Sequence, residues 1–193
     1  MFLRVADAAD AQHAETLCQW YAESAKARGV GIAKREASYL IKKMQRGDAI
    51  IAFVGEQLAG FCYIETFEDD KFVVNSGLIV NTALRHEGLG RAIKQRVFEL
   101  SRTKYPQAKI FGITTSAAVM KINTELGYKP VTFPDLTQSD DFWKGCMSCK
   151  NYPILQDNQR RMCLCTGMVY DTLNDQYSQP AQQTIEILSE ERR

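Results

Sequence analysis

The sequence predicts an α/β (α+β) fold, a mixed and mostly antiparallel central sheet flanked by helices. Three observations predict it. Helical and strand periodicities follow one another in the order α-α-β-β-β-α-β-α-β up to residue 133. The three middle strands, residues 49–54, 58–67 and 72–80, are joined by the short turns Gly55-Glu56-Gln57 and Glu68-Asp69-Asp70-Lys71, which makes an antiparallel meander. The third strand then runs through a short polar bend into Arg85-His86-Glu87-Gly88-Leu89-Gly90, a turn that opens an amphipathic helix. A dinucleotide-binding Rossmann domain would place such a turn after an early parallel strand, so the meander argues against one.

The elements follow in order. Leu3 to Ala6 reads as a short first strand, and Asp7 or Asp10 offers an N-cap to the helix behind it. In that helix Ala14, Leu17, Cys18, Tyr21 and Ala25 recur at helical spacing, and Gly29 stops it. Ala37, Leu40, Ile41 and Met44 mark one face of a second helix, stopped by Gly47. After the meander, the helix beyond Gly90 carries Ile93, Val97 and Leu100 inward, with Lys94, Arg96 and Arg102 expected outward. Lys109 to Thr115 is a strand, Ser116 caps a helix over residues 117–126, and Tyr128 to Phe133 is a further strand. Residues 1–171 read as one domain, with a cysteine-bearing loop over 134–166. Residues 172–193 form a polar tail, read as a short helix or as disorder.

Lys and Arg number 24 and Asp and Glu 23, a net charge of +1, which gives no support to broad electrostatic binding of nucleic acid or of an anionic membrane. No apolar run approaches the length of a membrane span, and the N-terminus lacks the apolar core of a signal peptide. The expectation is a cytoplasmic protein, monomer or homodimer, whose 6 cysteines serve as thiols or metal ligands rather than disulfides.

Three stretches carry candidate chemistry. Gly88 and Gly90 let the backbone approach a ligand at a helix N-terminus. Its unpaired N–H groups and partial positive charge favour a phosphate or pyrophosphate, with Arg85 adding a full charge. Arg28 to Arg35 is a basic loop with two glycines, read either as a solvated connection or as a cationic pocket for a carboxylate, with Lys34 and Arg35 as the contacts. Glu65 lies within a strand whose alternation puts Tyr63 and Glu65 on one face and Cys62 and Ile64 on the other. That face is either solvated or part of a cleft.

Arg85-His86-Glu87-Gly88-Leu89-Gly90 resembles the R/Q-x-x-G-x-G/A signature of the GCN5-related N-acetyltransferases (GNAT). Leu126-Gly127-Tyr128 is similar to that family's L-G-F/Y at the end of the next helix. Val80-Asn81-Thr82 precedes the signature where the family has V-x-P, with Thr82 in place of the proline. The resemblance runs from about Leu3 to Phe133 and again over residues 162–170. It implies an acyl-CoA cofactor. The backbone of His86, Glu87, Gly88, Leu89, Gly90 and Arg91 would hold the pyrophosphate, and the strand at Ile79 and Val80 would pair with pantetheine and polarise the thioester oxygen. Ser116 and Asn123 on the following helix join the cofactor site. Glu65 becomes the candidate base that takes the amine proton, directly or through water. The family often has a Tyr as general acid near position 123. Asn123 cannot donate a proton in that way, though it can hydrogen-bond the sulfur or pantetheine. Lys34 and Arg35 move toward the acceptor site. Together with Phe142 to Cys146, the stretch from Gly29 to Arg35 resembles a bacterial subgroup that acylates amino acids, with glutamate as the acceptor.

Cys146-x-x-Cys149 and Cys163-x-Cys165 are two close pairs of thiols, a pattern that suits tetrahedral Zn²⁺. If 163–165 is a strand, Cys163 and Cys165 point the same way. Reduced thiols without metal, or a redox pair, are the alternatives. Trp143 and Phe142 read as packing on the main core, with contact to a substrate as the alternative. The expected function is transfer of an acetyl or similar short acyl group from CoA to the amine of a small metabolite. The alternatives are a protein amine as acceptor, or an acyl-CoA-binding module without turnover.

Overall fold

Strands β1 (Phe2–Val5), β2 (Ala49–Val54), β3 (Gln57–Phe67), β4 (Phe72–Val80), β5 (Lys109–Thr114), β6 (Lys129–Val131) and β7 (Thr166–Asp171) form one sheet in the order β1-β2-β3-β4-β5-β7-β6. The structure is a computed structural model and describes residues 1–28, 35–84 and 88–173. Lys34, Arg85, His86, Glu87 and the tail from residue 174 lie outside the described residues. Every strand pair is antiparallel except β4 with β5. No helix among the described residues is long and apolar enough to cross a membrane.

Helices cover both faces. On one face lie α1 (Ala14–Arg28) and α2 (Ala37–Gln45), over the β2–β4 half. Leu17, Leu40 and Met44 are fully buried there against Ile51, Phe61 and Tyr63. Each such side chain contributes about 1.5–3 kcal/mol by leaving water. The chain enters α1 through a short 3-10 turn at Ala8–His13, which Asp7 caps by accepting a hydrogen bond from Ala9 N at 2.8 Å. On the other face lie α3 (Leu89–Lys104) and α4 (Ala117–Glu125), packed on Ile50, Cys62, Ile64, Val73 and Ile110.

The cysteine segment lies between β6 and β7 and differs from the irregular loop expected. It folds into α5 (Asp140–Lys144) and α6 (Tyr152–Asp157) around its own apolar cluster. Trp143 is 2% exposed, packed with Phe133, Leu136 and Leu155, and its Nε1 donates to Thr137 O at 2.9 Å. This cluster rests on Val74, Phe111 and Val169, covering the half of the first face that α1 and α2 leave open. Strand β6 stops at Val131 because Thr132 and Asp135 form a capping box around a 3-10 turn at Phe133–Asp135.

Two irregularities in β4 place the site. The parallel ladder with β5 lasts three residues, Phe72↔Lys109 to Val74↔Phe111, and the two strands then part. Beyond Val74, β4 stays paired to β3 alone, so its other edge faces a gap. Within the β3–β4 ladder, Phe61 opposes Ile79 and Tyr63 opposes Ser76, so Gly77 and Leu78 bulge against Cys62. Gly77 has φ +64°, and a Cβ there would run into the Tyr63 ring and sit 2.7 Å from the Tyr21 hydroxyl, so the bulge requires glycine.

Lys94 corrects the sequence reading. Arg96 and Arg102 are exposed as expected, but Lys94 is 2% exposed and lies inside the protein. The buried stripe of α3 takes in Lys94, Phe98 and Ser101 beside Leu89, Ile93 and Val97, one row wider than the apolar pattern predicted.

Candidate active site

A cleft of 570 Å³ opens between the α1/α2 layer and the cysteine segment, over the gap where β4 and β5 part. Three groups of residues line it.

The first group comes from α1, α2 and β3. Strand alternation carries Tyr63 and Glu65 to this face, as expected, and the face is a cleft rather than open solvent. The Tyr39 hydroxyl donates to Glu65 Oε1, and Arg35 Nε donates to the Tyr63 hydroxyl. The Arg35 guanidinium lies 5.8 Å from the Tyr21 ring centroid and 5.7 Å from that of Tyr63. Stacked between aromatic rings, Arg35 loses little further freedom on binding an anion. Lys43 closes this corner by donating to Ile64 O at 2.6 Å. Burial lowers its pKa, an effect that the Glu65 charge opposes.

The second group is the gap. Val74 to Leu78 line it on the β4 side and Gly112 to Thr114 on the β5 side. Ile79 and Val80 follow directly on β4. The Ile79 side chain is committed to the α1/α2 layer and that of Val80 packs on the α3 face, leaving their backbone edge for a ligand. Helix α3 starts just beyond β4, with Gly88 as N-cap at φ +98° and no side chain capping its first N–H groups. A Cβ on Gly90 would meet nothing nearer than Val80 Cγ2 at 3.8 Å, so packing does not demand that glycine. Its missing Cβ leaves room at the helix mouth. Leu89 anchors the turn by burying its side chain, and Arg91 is exposed and paired with Glu125.

At the far side of the gap, Ser116 caps α4 by accepting from Val119 N at 3.4 Å. Asn123 is 1% exposed. Its Nδ2 lies 3.7 Å from Met168 Sδ, and its Oδ1 is the one buried side-chain polar atom without a partner among the described residues. A buried acceptor left unpaired costs about 1–3 kcal/mol, which a donor entering the cleft would recover. Lys94 also reaches the gap, from the opposite face.

The third group is the cysteine wall, with Cys146, Cys149 and Cys165 lining the cleft beside Phe142 and Asn151. The thiols are neighbours. Burial, then Cys149 and Cys163, push Cys146 up to about 11; burial, then Cys163, Cys146 and Cys149, push Cys165 up to about 12. Among the described residues no group of three or more His, Cys, Asp or Glu side chains is placed to hold a metal ion. Strand β7 begins at Thr166, so Cys163 and Cys165 lie on irregular chain before it, with their thiols hydrogen-bonded to each other. The segment is also held by its own apolar cluster, and by Thr137 and Gln138, which donate to Glu68 Oε1 at 2.5 and 2.7 Å.

Of the residues singled out in the sequence, Arg35, Glu65, Ser116 and Asn123 line the cleft, and Phe142 both packs on the apolar cluster and borders it. Tyr39, Asn75 and Lys94 line it without having been singled out as site residues. Ser101, two turns beyond Lys94, was the available sign of a polar row facing inward.

No protein-family model and no curated protein sequence matches the chain. The fold, however, is that of the GNAT acetyltransferases. N-acetylglutamate synthase from Neisseria gonorrhoeae, solved with coenzyme A and N-acetyl-glutamate, superposes with a TM-score of 0.61 at 16% identity, over 89% of this chain and 35% of that one. This chain thus spans about a third of the synthase. Rv2747 from Mycobacterium tuberculosis, solved in complex with CoA, gives 0.59 at 15% identity, over 89% and 99% of the two chains. Ribosomal-protein-alanine N-acetyltransferase from Brucella melitensis gives 0.58 at 15% identity, again over 89% and 99%.

Proposed function

We propose that the chain is an acyl-CoA-dependent N-acyltransferase. It moves an acetyl or similar short acyl group from CoA to the amine of a small metabolite that carries a carboxylate, an amino acid such as glutamate. The observation that carries this reading is the convergence on one cleft of an unpaired β4 edge, Glu65 and Arg35, with the glycine-opened N-terminus of α3 following β4 in the chain. Structures of the same fold solved with CoA support the cofactor.

Acyl-CoA, when bound, supplies the activated acyl carbon. The N–H groups of Leu89, Gly90 and Arg91 hold its pyrophosphate, together with Arg85, His86 and Glu87 of the same turn. The free edge of β4 from Asn75 to Val80 pairs with the amides of its arm. Asn123 Oδ1 accepts from an N–H there, which satisfies the buried orphan. Arg35 and Lys34 hold the acceptor carboxylate. Glu65, oriented by the Tyr39 hydroxyl, takes the amine proton.

The test is an acyl-CoA turnover screen over the amino acids, read as CoA release. Release with acidic amino acids supports the reading. Release with peptide amines alone would move the acceptor to a protein, and CoA binding without release to any amine would leave a binding module.

A further inference from the structure

Three charged side chains are fully or nearly buried among the described residues: Asp10, Asp48 and Lys94. The two aspartates are paired with Arg4 and Lys104. Lys94 has no carboxylate partner and is the one of the three that lines the cleft. Its Nζ donates to Asn75 Oδ1 at 3.5 Å and stands 5.4 Å from the centroid of the Tyr128 ring. Asn75 is in turn fixed, since its Nδ2 donates to Ser101 Oγ at 2.7 Å and its Oδ1 accepts from the Tyr128 hydroxyl at 3.0 Å. The groups facing Lys94 are thus Asn75 on β4, Cys62 on β3 and Tyr128 before β6, with Ser101 of its own helix reaching it through Asn75. An unpaired amine in such a place costs free energy that a Met or Leu would avoid.

The proposed reaction leaves one proton unassigned. When the carbon–sulfur bond breaks, the departing thiolate needs a donor, and the side-chain amide of Asn123 has none to transfer. Two cleft phenols have committed protons: the Tyr21 hydroxyl donates to Gly77 O and that of Tyr39 to Glu65, while the Tyr63 hydroxyl accepts from Arg35 Nε. Burial raises the pKa values of all three. Lys94 and Asn123 flank the point where the strands part. Lys94 binds Asn75, the first β4 residue beyond the parallel ladder, and Asn123 Nδ2 lies 3.8 Å from the Cβ position of Gly112, the first such residue of β5.

We propose that Lys94 is the proton donor to the departing thiolate sulfur, an inference that rests on the acyltransferase reading above. The amine nitrogen forms its bond to the acyl carbon as the carbon–sulfur bond breaks. Lys94 Nζ gives a proton to the sulfur, Glu65 takes one from the amine, and solvent restores both residues. No outside oxidant or reductant is needed. Burial brings Lys94 down to about 8, with Cys62 opposing the shift. This lies close to the ~8.5 of a free thiol, where proton transfer is nearly balanced.

The test compares wild type with Lys94→Met and reads both turnover and the thiol of bound product CoA, followed by thiolate absorbance during a pH titration. A cationic neighbour favours the thiolate, so the thiol of CoA bound to the wild type is expected to titrate at lower pH than free CoA. Lys94→Met is expected to lose that shift. It is also expected to lower kcat about a hundredfold, to remove the basic limb near pH 8, and to leave the Kd for CoA within about threefold. A bound thiol that titrates like free CoA in the wild type, which needs no variant to fold, overturns the assignment of Lys94 alone. So does a kcat that falls less than about threefold, well short of what a proton donor supplies. Failure of the wild type to bind CoA overturns the acyltransferase reading, and this assignment with it.

Discussion

The Tyr39 hydroxyl donates a hydrogen bond to Glu65 Oε1, across the space between α2 and β3. It holds the carboxylate toward the cleft that Arg35 and Tyr63 also line. Glu65→Gln is expected to lower kcat by about a hundredfold and to remove the acid limb of its pH profile, while CoA binding is unchanged. Tyr39→Phe removes an orienting bond to a charged group, and is expected to lower kcat by about tenfold with the acid limb retained. Steady-state kinetics across pH check both, and an acid limb that survives Glu65→Gln rules that residue out as the base.

Arg35 stacks between Tyr21 and Tyr63. Arg35→Ala is expected to raise the acceptor KM at least tenfold, with the acyl-CoA KM nearly unchanged. Arg35→Lys should recover little of the loss, because an ammonium reproduces neither the planar fork nor the stacking. Equal acceptor KM values in variant and wild type would remove the carboxylate contact.

Gly90 separates ligand space from packing. A Cβ there stays at ordinary contact distance from Val80, so Gly90→Ala is expected to keep or raise Tm by relieving helix glycine, a gain of about 1 kcal/mol or less. The same methyl group narrows the mouth of α3 and is expected to weaken CoA binding about tenfold, a cost of about 1.4 kcal/mol. Calorimetry on the variant reads both quantities. Unchanged CoA affinity would place the pyrophosphate elsewhere.

Lys94 gives a stability signature independent of catalysis. Burial depresses its pKa from 10.5 to about 8, so between these values the unfolded chain binds the proton and the folded chain does not. Stability from this group therefore rises as pH increases through that window, by an amount on the order of 3 kcal/mol in full. Cys62 and the buried tyrosines have raised values and act in the opposite direction from about pH 9 upward. The tyrosines are common to wild type and Lys94→Met, and Cys62 is coupled to Lys94, so the difference between the two reports the lysine together with that coupling. Lys94→Met is expected to be the more stable protein at pH 7, with its advantage shrinking toward pH 9. Denaturant midpoints at several pH values measure this.

The cysteine segment is expected to be stable without metal. A chelator should leave Tm unchanged, whereas Trp143→Ala should cost about 3–5 kcal/mol by emptying the cluster around Phe133 and Leu155. A chelator-induced fall in Tm, read by thermal melting, would support the zinc assignment.

Much of the fold was legible because its signals are local. The turns at Gly55 and Glu68 can only join antiparallel strands, and the stop at Gly47 is a left-handed glycine with φ +62°. Gly88, left-handed at φ +98°, marked the helix mouth for the same reason. The site was legible where alternation along one strand decides direction, as for Tyr63 and Glu65. It was not legible where direction depends on another element. A lysine at the border of a helical stripe reads as solvated, and only the packing of α3 beneath the parting strands turns Lys94 inward.

By itself, then, the sequence determined the succession of elements, the meander, the glycine turn and the face of β3 that carries Glu65, all through backbone preferences and periodicities spanning a few residues. The tertiary structure alone decided that β4 and β5 part after Val74, that Lys94 and Asn123 meet the resulting gap from the far side, and that the cysteines wall the cleft. Those outcomes arise from contacts between chain segments far apart in sequence, where burial and pairing compete in ways that no local pattern records.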